Sequence, residues 1–209
     1  MTLRGMVLFP HAVVPLYIFE ERYRRMLEDV LQEQRMFAIF KEDPERDSEE
    51  EPPHKVGSVG VIRAAHQNPD GTTNLALQGI ARVRLLEVVQ ETPYRTIRVA
   101  SCPGSHPAQE DVELRQRILS LVDAESGLVE NLPEEYLDFL RGLKEPEPFV
   151  DVAIQALCHC PEEKQRLLET LDLEERYGRF EQFLLKEKRR LELYRKLQGR
   201  TREDEIDLN

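Results

Sequence analysis

Cys158-His159-Cys160 is the segment whose residue types come nearest to a metal or nucleophile site. Zinc takes four convergent ligands, usually as Cys-x(2–4)-Cys pairs from two places in the chain. A Cys-x-Cys at a helix end directs its thiols apart, and Cys102 is the sole other cysteine. Neighbours on a helix do not face one another, so Cys158 and His159 make no nucleophile–base pair. Ser58, Ser101, Ser105 and Ser126 stand in no G-x-S-x-G setting, and His11, His54, His66 and His106 fall in loops or turns. No G-x-x-x-x-G-K-[ST] run cradles a nucleotide phosphate. The expectation is a non-enzyme with no catalytic residue, no metal and no cofactor, in which Cys158 is a small core residue.

Binding chemistry has more candidates. Arg82 and Arg84 alternate along a strand-like run, either as a basic face that grips carboxylates or phosphates or as the polar side of a half-buried strand. The second reading is preferred. Lys186 to Arg195 is locally basic, but Glu187 and Glu192 interleave, so it reads as a solvated helix face. Glu42, Asp43, Glu45, Asp47, Glu49, Glu50 and Glu51 form an acidic segment punctuated by Pro44, Pro52 and Pro53. It has too little apolar surface to offset its ordering entropy and no EF-hand spacing, and the stretch 42–55 is expected to be a solvated, mobile loop.

Acidic residues outnumber basic ones 40 to 29, a net charge of −11. That balance argues against a general nucleic-acid or anionic-membrane surface. No apolar run reaches the roughly 20 residues of a bilayer span, and the N-terminus has no signal-peptide pattern. A cytoplasmic chain with reduced thiols is expected.

These side chains must be positioned by two kinds of element. Met6 to Phe9 is a short apolar run of strand-like composition. Pro10 and Pro15 follow, each restricting itself and the residue before it to extended geometry, so the segment between them is not helical. After Phe19 a helix begins, with Tyr23, Met26, Leu27 and Val30 on one face. Met36 to Phe40 reads as a strand. From Val56 to Ala100 short alternating runs carry curving glycines at Gly57 and Gly60 and a hairpin turn at Asn68-Pro69-Asp70-Gly71, which suggests a small barrel or a strongly coiled sheet. Past the hinge-like Cys102-Pro103-Gly104-Ser105-His106-Pro107 the periodicity becomes helical. Helices are expected around Leu114–Val122, Leu132–Leu140, Val150–Leu157, from Pro161, and from a cap at Asp172 to about Gln198, with a frayed tail beyond.

The opening stretch carries a resemblance. LR-x-x-VLFP-x-x-x-x-PL-x-IFE-x-RY, through Leu3, Arg4, Val7, Leu8, Phe9, Pro10, Pro15, Leu16, Ile18, Phe19, Glu20, Arg22 and Tyr23, resembles the opening signature of the LON N-terminal domain, the substrate-recognition part of ATP-dependent Lon proteases. VGSVG-VI at 56–62, the Asp70-Gly71-Thr72 turn, LQGIARVRLLE at 77–87, Pro93-Tyr94-Arg95 and the run from Phe149 to Glu187 continue it in order. The resemblance implies an α+β chain: a PUA-like β-pseudobarrel over 1–102, then a helical bundle over 103–209 ending in a long helix. It implies non-catalytic recognition of unfolded or apolar protein segments, with a protease or chaperone chain as a candidate partner in trans. Neither the ATPase nor the Ser–Lys proteolytic module fits here, so the resemblance leaves a stand-alone LON-domain protein or an excised fragment. Met1 and the charged tail make the first the expectation. A cleft between barrel and bundle is where two lobes could hold an extended peptide. Candidate partner contacts are Phe9, Pro10, Pro15, Tyr17, Phe19 and Arg82, although most of the Phe9–Phe19 side chains could equally be core. The alternative is RNA binding, since PUA-like folds elsewhere bind RNA and Arg82 and Arg84 would give the barrel a basic face.

Overall fold

The structure, a computed structural model, describes residues 1–45, 51–104, 112–129 and 132–206. Its elements run β1 (Thr2–Leu3), β2 (Val13–Ile18), α1 (Glu21–Gln32), β3 (Met36–Lys41), β4 (Val56–Gln67), β5 (Thr73–Gln90) and β6 (Thr96–Ser101). They continue with α2 (Val112–Ala124), α3 (Glu134–Gly142), α4 (Pro146–Leu157), α5 (Pro161–Glu169) and α6 (Leu173–Ile206). This is the α+β arrangement of a curled sheet with one inserted helix, followed by a helical bundle and a long last helix.

The sheet is organised by β5. Strand order is β1-β3-β4-β5-β2, with β6 also on β5. Val83 and Arg84 pair with β4 and with β6 at once, so β6 takes the edge of β5 opposite β4. Lower down, Thr73 to Gln78 likewise pair with both β4 and β2. One long strand therefore carries two partners in succession along one edge, and register shifts that leave Ile80, Leu86 and Val89 of β5 and Arg63 of β4 unpaired bend it into a pseudobarrel. The Asn68–Thr72 turn closes β4 onto β5 as the sequence suggests. Gly71 sits there in the left-handed region, at a φ of 81°. The Thr72 N–H donates to Asp70 Oδ1 at 2.9 Å, the side-chain-to-backbone bond that favours aspartate in turns.

The strand expected at Met6–Phe9 is absent; β2 forms instead between and beyond the two prolines. Val7, Leu8 and Phe9 are buried, but the Phe9 N–H donates to Gln155 Oε1 of α4 at 3.0 Å rather than to a ladder. The segment crosses β5 at Gly79, where a Cβ would collide with the Phe9 carbonyl. Only glycine permits that crossing.

Two apolar cores result. Leu8, Val14, Ile18, Tyr23, Met26, Leu27, Phe37, Ile39, Ile62, Leu75 and Leu77 fill the barrel under α1. The bundle core, around Ile118, Leu140, Phe149, Ile154, Phe180 and Leu184, also takes Val7, Phe9, Ala12 and Val56 from the β-lobe. Period-2 geometry divides Val7-Leu8-Phe9 between the two: Leu8 faces the barrel, Val7 and Phe9 face the helices.

Proline opens α4 and α5 at the first turn, where its missing N–H costs nothing. Asp172 caps α6, its Oδ1 accepting the Glu175 N–H at 2.8 Å, as a short acidic side chain does at an N-cap. The helix runs on past Gln198 to Ile206. The central part of the acidic segment, 46–50, lies outside the described residues. Its flanks are tied down: Asp43 N–H donates to the Pro52 carbonyl at 2.7 Å, and the Glu51 carboxylate accepts from Arg22 at 2.9 Å.

Candidate functional site

β2 lies at an end of the sheet order, and alternation along it packs one face on the barrel core and turns the other outward. Val14 and Ile18 are buried, whereas Val13, Pro15 and Tyr17 are exposed. Cross-strand register extends this outward face into three rows. Val13 stands opposite Gln78 and through it Val61, Pro15 opposite Ala76 and Ala64, and Tyr17 opposite Asn74 and His66. The middle row is small and apolar. At one end Phe19, just beyond the strand, stacks on Tyr17 with ring centroids 5.9 Å apart, and the two residues are 61 % and 53 % exposed. An edge strand is also where a proline is tolerated, since its missing N–H breaks no central ladder.

Apolar side chains grouped in this way on a folded surface make it a candidate docking surface. Covering the exposed half of two aromatic rings removes on the order of 200 Å² from water, worth roughly 5 kcal/mol before ordering costs. Because the rows alternate across a pleated sheet, the surface suits an extended chain lying over it.

Three of the residues singled out in the sequence are not on this surface. Phe9 is 0 % exposed and Pro10 is buried, because both lie in the crossing over Gly79, against the bundle. Arg82 is 4 % exposed, neither a basic face nor the solvated side of a strand. Its Nη1 and Nη2 donate to the two Asp151 carboxylate oxygens at 2.8 and 2.7 Å, and Nε donates to the Leu168 carbonyl at 3.1 Å. The guanidinium also lies 5.5 Å from the centre of the Phe9 ring, within cation–π range. A cation so fully occupied has nothing left for a phosphate, so Arg82 drops out of the basic face that the sequence suggested for it and Arg84. Arg84, its neighbour but one, is exposed.

The partners of Arg82 form a buried ionic cluster that no local sequence signal assembles. Arg176, fully buried on α6, donates to Asp151 Oδ1 at 3.0 Å and to the carbonyls of Thr170 at 2.9 Å and Leu171 at 3.2 Å. Glu147 lies 3.3 Å from Arg82 and 3.4 Å from Arg176. Burial pulls the Arg176 guanidinium down from its ordinary pKa, and the Asp151 carboxylate opposes that shift. Two arginines and two carboxylates from β5, α4 and α6 thus close the seam between lobes, where the sequence suggested a cleft.

The cysteines offer little chemistry. Cys158 is buried, its thiol lies 3.6 Å from the Cys160 carbonyl oxygen, and burial pushes its pKa up to about 11. Such a thiol is a poor nucleophile at neutral pH. Among the described residues no three His, Cys, Asp or Glu side chains are placed to hold a metal ion, and no described helix is long and apolar enough to cross a membrane.

Comparison with known proteins places this geometry in a family. The model of the ATP-dependent protease La (LON) substrate-binding domain matches residues 1–186. The chain is similar to the Lon protease of Dictyoglomus thermophilum, 27 % identical over 205 residues that cover 97 % of this chain and 26 % of the relative. It is also similar to Lon protease 1 of Thermus thermophilus, 29 % identical over 215 residues, covering 99 % of this chain and 26 % of that one. The chain therefore spans about a quarter of the length of the curated relatives it matches. Among solved structures, the N-terminal domain of a Mycobacterium avium complex Lon protease superposes with a TM-score of 0.67 at 18 % identity, over 90 % of this chain and 95 % of that one. A Lon N-terminal domain protein from Xanthomonas campestris gives 0.52 at 20 % identity, over 88 % and 95 %. On its sequence match, supported by this shared fold, the chain belongs to the ATP-dependent protease La (LON) substrate-binding domain family.

Proposed function

We propose that this chain is a non-catalytic recognition module that holds unfolded or apolar protein segments on the outward face of β2. The single observation that carries the reading is the exposed row Val13, Pro15, Tyr17 and Phe19 on a well-packed edge strand. Side-chain contacts supply most of the affinity, with Tyr17 and Phe19 as anchors. Backbone pairing contributes less, because Pro15 has no N–H to offer an added strand. The family's description as a substrate-binding domain supports protein segments as the ligand class. Delivery of the held segment falls to a protease or chaperone module, acting in trans where it is on another chain.

The test is binding of a reduced, unfolded model polypeptide, followed by fluorescence anisotropy at low and high salt beside a mixed RNA pool. The reading expects polypeptide binding that changes little with salt and is lost on Tyr17→Asp or Phe19→Asp. Binding of RNA alone, falling steeply with salt through counterion release, contradicts it.

A further inference from the structure

The long helix carries a second exposed face with a different chemistry. Leu184 is the last of its side chains described as buried, and beyond it one side of α6 still rests on the turn after α2. There Leu191 is half-buried and Arg195 Nη2 donates to Glu125 Oε1. On the opposite side, three- and four-residue spacing aligns Lys186, Arg189, Arg190, Leu193, Lys196 and Leu197, all exposed. Leu193 is 60 % exposed in the middle of the cations. From 186 to 196 six cations face two carboxylates, a local net charge of +4 on a chain whose total is −11.

These cations differ in pairing from those on the other exposed helix faces. Arg141, Arg166 and Arg179 all hold carboxylates on their own helices. Among the described residues Lys186, Arg189 and Lys196 hold none, and Arg190 alone on this face is paired, with Glu187 at 2.8 Å. Three of the four cations on the face are therefore without a carboxylate partner among the described residues, with leucine between them.

That combination selects an occupant. A second copy of the same face is repelled by like charge. A nucleic acid uses the cations but leaves Leu193 against phosphates. A lipid surface needs an unbroken apolar face on the helix, whereas here Arg189 and Lys196 separate Leu193 and Leu197 from Leu185, and Arg190 separates them from Tyr194, the other exposed apolar residues of the stretch. We propose that the outward face of α6, from Lys186 to Leu197, docks an acidic amphipathic helix of a partner protein. The partner's apolar residues cover Leu193, and its flanking carboxylates pair with Lys186, Arg189 and Lys196. The face rises about 17 Å, so the matching helix has about three turns.

The probe is a labelled synthetic helix of about 18 residues, with leucines at i, i+3, i+4 and i+7 flanked by glutamates. A scrambled peptide of identical composition, a short single-stranded RNA and phosphatidylserine vesicles serve as comparators. The patterned peptide binds the wild-type chain, more weakly at higher salt. Leu193→Asp weakens it by about tenfold or more. The triple change Lys186→Glu, Arg189→Glu, Lys196→Glu abolishes it, on positions too exposed to disturb folding. Tyr17→Asp leaves it unchanged, which separates this surface from the β2 face. Equal binding of the scrambled peptide, binding untouched by the α6 variants, or no binding at all overturns the proposal. RNA or vesicles held more tightly than the peptide, and lost in the same variants, assign the face to those ligands instead.

Discussion

The chain opens with two apolar segments of similar composition that meet opposite fates. Val7 to Ala12 lies against the bundle, with Phe9 completely covered and close to a buried guanidinium. Val13 to Phe19 lies at the sheet edge, with every second side chain in water. The difference does not come from hydrophobicity. It comes from what lies opposite: the first segment crosses Gly79 and meets α4, whereas the second pairs with β5 and leaves one face uncovered. The first segment joins the lobes, and the second is the candidate recognition surface.

The comparison breaks most severely at the joint. Asp151→Ala leaves Arg82 and Arg176 buried without their shared carboxylate, an expected loss of about 3–5 kcal/mol in denaturant unfolding. Phe9→Ala empties part of the seam, at a cost of about 3–5 kcal/mol. If either variant instead retains wild-type stability and loses polypeptide binding, the joint is itself a binding site and the division fails.

Arg82→Met removes the guanidinium but leaves Asp151 with Arg176, so the expected loss is smaller, about 3 kcal/mol. Binding of unfolded polypeptide at temperatures where this variant is folded stays unchanged. A selective loss of binding would return Arg82 to the role its sequence context suggested.

A pH effect sharpens the picture on the helical side. The Cys158 thiol, pushed up to about 11 in the folded chain, has an ordinary pKa of 9.0. Between those values the unfolded chain has released the proton and the folded chain has kept it, so stability falls as the pH rises through that window. The full effect is on the order of 2–3 kcal/mol, and Cys158→Ala removes that part of the slope. Consistently, a thiol-reactive probe at neutral pH modifies half-buried Cys160 ahead of Cys158.

Much of this fold was legible in the sequence because its signals are local. The Asp70-Gly71 turn, the Pro161 helix start, the Asp172 cap and the apolar stripes of α1 and α2 depend on neighbours within a few residues. The β2 alternation was present in Val13-Val14-Pro15-Leu16-Tyr17-Ile18, but it was masked by equally apolar residues on both faces. What could not be read depends on distant partners. Nothing near Arg82 indicates that Asp151, 69 residues away, will pair with it, so an arginine in a strand looked solvated. The same blindness placed Phe9 and Pro10 beside Tyr17 and Phe19, when Gly79 sends the two pairs to different surroundings.

The smallest expected effect on stability belongs to the exposed segment, and it gives the decisive experiment. Tyr17 and Phe19 both stand on open surface, so Tyr17→Asp combined with Phe19→Asp changes unfolding free energy by no more than about 1 kcal/mol. Measured beside wild type for stability and for affinity to a reduced, unfolded polypeptide, the double variant is predicted to fold normally and to lose at least about tenfold in affinity. Wild-type affinity in a normally folded double variant would contradict the assignment of the β2 face.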